Sequence, residues 1–270
     1  MQTYIGTPNY TASITIPDDG DLASAASVNN PAKSSADMDY FLLQSIGQLT
    51  QGAPIRLSSL DGANVIVDPI PLAIVSSGGL YKAISTISQT TIGTAQLETG
   101  NSYAASTWYY IYIFINQGQT AFQISVVPPT ASNMYKQGGD THKYIGCFRT
   151  NGAGAILKFY ANRGRYLYMD VTPQLQNGNS TVEFPVPLTS VVPPTSRVCS
   201  LLAELNNAAN TDGYARLSTY FGGAYYQYTA FAQRSNSFNI LSQVAPDGNI
   251  RYLTSVPQVD LSLTVLGYEE

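Results

Sequence analysis

TWYYIYIFINQGQTAFQISV, residues 107–126, sets an aromatic and β-branched run before a polar turn at Asn116-Gln117-Gly118-Gln119 and a second run after it. Side chains of this kind favour a pleated strand, and the arrangement predicts a β-hairpin. Successive side chains on a strand alternate between faces, so Trp108, Tyr110, Tyr112 and Phe114 share one face and Tyr109, Ile111, Ile113 and Ile115 the other. Neither face is polar. Such a strand needs a core on one side and further cover on the other, supplied by a second layer or by another copy of the chain. The face of Trp108, Tyr110, Tyr112 and Phe114 is therefore expected to be an inter-sheet or oligomer face.

Outward from the hairpin the same pattern repeats. Between Ala53 and Asp170, strand-like runs at Asn64 to Val67, Leu72 to Val75, Leu80 to Ile92, Lys143 to Arg149, Ala155 to Tyr160 and Tyr166 to Met169 are separated by glycine, asparagine and proline turns. Residues 170–179 are polar and turn-rich, which predicts a boundary. A second set follows from Thr181 to Tyr268, with hairpin-grade turns at Asp212-Gly213 and Asp247-Gly248. Many short strands with such punctuation predict an all-β chain of two β-sandwich, jelly-roll-like domains, 53–170 and 171–270.

Residues 1–52 read differently. An extended opening ends in the turn Pro17-Asp18-Asp19-Gly20-Asp21, which lacks the further ligand positions and terminal glutamate of a calcium loop. Asn30 and Pro31 then suit the cap and first position of a helix over 30–50, whose Met38, Phe41, Leu42, Ile46 and Leu49 fall on one stripe. The stripe either covers the end of a sandwich or packs with other subunits or a partner. Residues 1–52 are thus expected to form an attachment segment, with the helix in attachment or oligomer contact.

Composition excludes several classes. Charged residues are 11% of the 270, against about a quarter in an average globular domain, while the hydrophobic share is an ordinary 44%. A net charge of −4 with dispersed basic residues argues against a nucleic-acid surface. The run Trp108 to Ile115 is far short of the ~20 apolar residues that span a bilayer. The opening MQTYIGTPNY has neither the cationic start nor the apolar stretch of a secretion signal. No membrane span and no nucleic acid are expected.

Chemistry-bearing residues are few. His142 is the single histidine, and no spacing brings a nucleophile and a carboxylate to it. Cys147 and Cys199 lie far apart without metal-ligand spacing, which predicts two buried thiols and leaves a disulfide open. The glycines at 152 and 154 precede a strand, so a dinucleotide loop fails on context. No enzyme activity, metal or cofactor is expected. Tyrosine is instead conspicuous, at twenty residues. Its rigid apolar face and polar tip suit subunit contacts and also stacking on sugar rings. Tyr220, Tyr225, Tyr226 and Tyr228, beside Gly222-Gly223, are candidates for core or oligomer contact and for glycan binding.

A family resemblance rests on five stretches. Asn101 to Tyr112 (NSYAASTWYYIY) with His142 to Gly154 (HKYIGCFRTNGAG) resembles a module of tailed-bacteriophage virion proteins, particularly tail-fibre and other host-facing structural proteins. Ile16 to Asp21 with Ala25 to Asn29 resembles their leader segments, and Val265-Leu266-Gly267-Tyr268 a recurrent ending. The resemblance implies a non-enzymatic, homotrimeric protein of the phage particle surface. It would attach to other virion proteins through its N-terminal part and contact host cell-surface glycan through its C-terminal part. The chain lacks the coiled-coil shaft and repeats of long fibres. Capsid decoration, with the N-terminal segment gripping the coat, is the alternative, and a polysaccharide-degrading enzyme is a third.

Overall fold

The computed structural model describes residues 55–70, 73–77, 80–84, 88–130, 135–138, 141–162, 164–171, 173–218 and 225–270. The attachment segment 1–52 lies outside these, with its expected helix 30–50 and the stripe Met38, Phe41, Leu42, Ile46 and Leu49, and so does Tyr220. Strands β1 (Arg56–Ser59), β2 (Val65–Val67), β3 (Ala73–Ser77), β4 (Leu80–Ile84), β5 (Thr90–Ile92), β6 (Trp108–Asn116), β7 (Gln119–Ser125), β8 (Lys143–Arg149) and β9 (Phe159–Asn162) come first. They are followed by β10 (Arg165–Tyr168), β11 (Pro173–Gly178), β12 (Phe184–Pro187), β13 (Val198–Asn207), β14 (Gly213–Ser218), β15 (Tyr225–Ala230), β16 (Ser235–Gln243), β17 (Asn249–Thr254) and β18 (Val259–Glu269). The fold is all-β. Among the described residues no helix is long and apolar enough to cross a membrane.

The hairpin 107–126 is built as its sequence predicts. Asn116 pairs with Gln119, and the two residues between them, Gln117 and Gly118, have φ of 48° and 81°. Positive φ at both central positions is the type I′ turn, whose twist matches the flanking strands. β6 is the middle strand of a three-stranded sheet in the order β7-β6-β8, and Tyr109 through Ile113 are all buried.

A nine-stranded antiparallel sheet runs β16-β13-β18-β10-β9-β1-β2-β5, with β11 also paired to β18. The segments 53–170 and 171–270 therefore share one sheet, joined where Arg165, Tyr166 and Leu167 of β10 pair with Glu269, Tyr268 and Gly267 of β18. Two smaller sheets pack on its inward face. The three-stranded sheet lies over the β10 side, where Trp108 meets the Tyr268 ring edge-on at 6.0 Å. A four-stranded sheet in the order β12-β17-β14-β15 lies over the other side. There Cys199, Leu201, Ala203 and Leu205 of β13 and Val259, Leu261, Leu263 and Val265 of β18 are buried in one cluster with Ala215, Leu217, Ile250 and Tyr252. Each large aliphatic side chain so covered contributes roughly 1.5–3 kcal/mol.

Both apolar faces of β6 are covered by the chain itself. Tyr103, in the loop ahead of β6, sits edge-on to Tyr109 at 5.2 Å and to Phe148 at 5.3 Å, while Trp108 on the opposite face meets the large sheet. Two bulges decide what fills that interior. In β8 the register shifts against Ile111 and Tyr112, and in β18 it shifts against Ser200 and Leu201. An extra residue in a strand reverses the parity of everything beyond it. Tyr144 therefore turns to the same side as Cys147, and Tyr268 to the same side as Val265.

Candidate functional site

The interior between the three-stranded and nine-stranded sheets holds a polar cluster. The carboxylate of Glu270 follows Tyr268 inward, although the residue as a whole stays exposed. Its Oε1 accepts hydrogen bonds from Tyr144 Oη at 2.5 Å, Thr195 Oγ1 at 2.7 Å and Cys147 Sγ at 3.4 Å. Burial raises its pKa above the usual carboxylate value, opposed by these donors. Cys147 Sγ also lies 3.2 Å from Tyr268 Oη, and its backbone N–H donates to Tyr166 Oη at 3.1 Å. Burial pushes the Cys147 thiol and the surrounding phenols well up, so they are neutral at physiological pH. A neutral thiol enclosed by rings is a poor nucleophile. The cluster clamps two sheets together.

A second clamp lies beside it. Trp108 Nε1 and Arg149 Nη1 both donate to Thr189 O at 2.9 Å, with the Arg149 guanidinium 5.7 Å from the Trp108 ring centre. Of the expected inter-sheet face, Trp108, Tyr110 and Tyr112 sit against these groups. Tyr112 Oη donates to Val127 O at 2.6 Å, and Tyr110 and Tyr112 flank the Tyr144 ring at 6.2 and 6.0 Å. Phe114 is further out, half-buried and stacked on His142 at 4.1 Å. His142 bonds through Nδ1 to Thr141 Oγ1 at 2.8 Å. Its pKa is lowered by burial and by Lys136, opposed by Glu98. Lys136 is itself ion-paired with Glu98. Among the described residues no group of three or more His, Cys, Asp or Glu side chains could hold a metal ion.

The outward face of the four-stranded sheet is chemically richer. Cross-strand register aligns Gln227, Arg216 and Leu253 in one row and Ser218 with Arg251 in the next. The Arg216 guanidinium lies 4.9 Å over the Tyr214 ring and its Nε donates to Gln227 Oε1 at 2.9 Å. Ser218 Oγ donates to Glu183 Oε1 at 2.9 Å, and Arg251 Nη2 to Asp247 Oδ2 at 2.8 Å. Beside Asp247 opens a cleft of about 260 Å³, lined in part by Pro193, Pro194, Arg197 and Pro246. Half-exposed arginines, carboxylates and amides around an aromatic ring can hydrogen-bond hydroxyl-rich ligands and stack on them.

Of the tyrosines expected to bind glycan, Tyr228 is half-buried, its ring 4.8 Å from that of Phe238, within the core between the two sheets. Tyr225 and Tyr226 lie on β15 opposite Ser218 and Leu217. Reading by residue type singled out tyrosines and passed over Arg216, Gln227, Arg251 and Asp247. The alternation of Tyr214, Arg216 and Ser218 with buried Ala215 and Leu217 carries the signal of a half-exposed strand.

No family model matches the chain, and no curated protein matches it. Among solved structures it is similar to a Bacillus thuringiensis Cry1Da tryptic core variant at 10% identity and a TM-score of 0.23, over 79% of this chain and 50% of that one. The chain thus spans about half the length of that structure. A likeness at this level carries no argument.

Proposed function

We propose that the chain is a structural protein of the bacteriophage virion surface, a homotrimeric tail-fibre or receptor-binding component that acts in host attachment without catalysis. The observation that carries this reading is the resemblance of residues 101–112 and 142–154 to tailed-phage virion proteins. The two stretches are neighbours in space. Trp108 pairs with Arg149 and Tyr109 with Phe148, Ser106 N–H donates to Asn151 O at 2.9 Å, and Thr107 N–H to Thr150 Oγ1 at 2.9 Å. Residues that resemble one module thus form one contiguous piece, which supports reading them together.

In this proposal the outward face around Tyr214, Arg216, Gln227 and Arg251 meets host cell-surface glycan. Each contact is weak, and several copies on one particle raise the effective affinity by ~10²–10⁴. The N-terminal segment joins other virion proteins. The test is twofold: a glycan array probed with the purified oligomer, and a density map of the particle with this chain located. Binding to a defined glycan with density at the tail supports the reading. Density at the head alone replaces it with capsid decoration, and an array without signal removes the glycan.

A further inference from the structure

The outward face of the four-stranded sheet concentrates arginine in a chain that has little positive charge to place. The net charge is −4, with thirteen lysines and arginines in 270 residues, yet Arg216, Arg251 and Arg197 follow one another from this face into the cleft at its end. Arg251 stands opposite Ser218 and Leu253 opposite Arg216, so Arg216 and Arg251 are diagonal neighbours, about 7–8 Å apart at the backbone. Arg251 Nη2 reaches Asp247 Oδ2 at 2.8 Å, and Asp247 and Arg197 both line the cleft of about 260 Å³. Among the described residues neither Arg216 nor Arg197 is ion-paired. The guanidinium of Arg216 is nevertheless held in place, 4.9 Å over the Tyr214 ring with Nε bonded to Gln227, which leaves its two Nη groups for a ligand. A guanidinium fixed in this way loses little freedom on binding, and its planar fork fits a carboxylate through two parallel hydrogen bonds.

We propose that this surface, from Arg216 across Arg251 to the cleft at Arg197, binds a saccharide that carries carboxylate groups, of the uronic acid class. The inference rests on the reading of this face as a glycan surface and adds the chemical class of the glycan. Two features select that class. First, two carboxylates stand among the three arginines: Asp247 beside Arg251, and Glu183, which accepts from Ser218 Oγ at 2.9 Å next to Arg251. They repel a densely sulfated or phosphorylated chain and accept hydrogen bonds from hydroxyls. The surface therefore suits negative charge that is spaced out along a hydroxyl-rich backbone. Second, the cleft supplies apolar contact. Pro193, Pro194 and Pro246 line it with saturated rings, against which the C–H face of a sugar ring can pack. At about 260 Å³ it falls below the roughly 300 Å³ at which pockets for drug-sized ligands begin, so it holds one ring and leaves the rest of the chain to the arginines.

The test titrates the full-length chain by calorimetry with three probes: an oligogalacturonate, the same oligosaccharide with its carboxylates methyl-esterified, and a sulfated dextran of similar length. The oligogalacturonate is expected to bind more tightly than the sulfated dextran, and esterification to weaken it at least about tenfold, the effect of losing a hydrogen bond to a charged group. Arg216→Lys keeps the charge and removes the fork. It is expected to weaken the acid by about tenfold while the thermal transition stays in place, because the side chain lies outside the core. An ester that binds as well as the acid overturns the carboxylate and leaves the glycan surface standing. Tighter binding of the sulfated dextran overturns it in favour of a surface for dense polyanions. Unchanged affinity in Arg216→Lys overturns it as well, since a point charge would then suffice. Silence toward all three probes overturns the inference, and the glycan array then decides the broader reading by itself.

Discussion

Tyr166 and Tyr268 stack with ring centres 4.4 Å apart and planes within 11° of parallel, across the β10 to β18 pairing that joins the two halves of the chain. Beside them a Cβ on Gly267 would lie 1.8 Å from Tyr166 O, so β10 approaches β18 as closely as it does only because residue 267 has no side chain. Gly267→Ala is therefore expected to push the strands apart and to cost more than the ~1 kcal/mol of an ordinary core change. Tyr268→Ala, which removes the stack and the hydroxyl facing Cys147, is expected to cost about 3–5 kcal/mol. Denaturant unfolding of each variant measures this. A single transition in the unsubstituted protein and two in Tyr268→Ala would show that this seam makes the halves one cooperative unit.

The class of fold was legible because the period-two alternation of Val198 to Asn207 and Val259 to Val265 and the turn at 116–119 are local signals. What the sequence concealed is long-range. Residues 170–179 read as a boundary because they are polar and turn-rich, and within them Pro173–Gly178 form β11 along β18, in a register broken twice. β12 carries Pro185 and Pro187, tolerated because it is the edge of its sheet. The bulges that turn Tyr144, Tyr268 and Glu270 inward fall beside Gly146 and Gly267, and a lone glycine in a strand hints at a bulge without fixing the register beyond it. Cys147 and Glu270, 123 positions apart, meet only because of them.

Glu270 gives a pH signature. Its carboxyl pKa is raised in the folded state by burial, so the folded protein holds a proton that the unfolded chain releases near the ordinary value of about 4.5. Stability from this group is fully present below that value and falls as pH rises through the raised folded pKa. Glu270→Gln keeps an acceptor for Tyr144 and Thr195 but cannot ionise. Its melting temperature is expected to lose this component of the decline, which sets in above about pH 4.5, measured by calorimetry at a series of pH values from there upward. A variant whose profile parallels the unsubstituted protein would show that Glu270 titrates normally.

Both thiols should be silent in the native state. Cys147 and Cys199 are free and buried, and burial raises the Cys199 pKa to about 12. Since the thiolate is the reacting species, labelling by a disulfide-exchange reagent at pH 8 is expected to be negligible without denaturant and to reach two thiols per chain with it. Rapid native labelling of either would mean that the seam around Tyr268 opens.

If the outward face of the four-stranded sheet meets glycan, the groups to remove are Arg216 and Arg251. Arg216 lies over Tyr214 and bonds Gln227, while Arg251 bonds Asp247. Neither supports the core. Arg216→Ala with Arg251→Ala is expected to leave the thermal transition within a few degrees and to weaken glycan binding at least tenfold, about 1.4 kcal/mol. The measurement is array or calorimetric titration with the glycan that the unsubstituted protein selects. Unchanged binding would move the contact to another surface.

The hairpin turn offers the last and smallest test. Gln117 holds φ at 48° and Gly118 at 81°, and nothing lies within 4 Å of where a Cβ on Gly118 would stand. Conformation, with no steric crowding at all, therefore sets the preference at position 118. Gly118→Ala is expected to destabilise by about 1 kcal/mol, since alanine pays for the left-handed backbone without any clash. Gln117→Asn should act oppositely, because asparagine adopts positive φ more readily than glutamine and Asn-Gly is the favoured type I′ pair. A gain of a few tenths of a kcal/mol, read from paired denaturant titrations, is the expected result. Opposite signs at adjacent positions would tie both effects to the turn; equal signs would mean that the two backbones are not held as described.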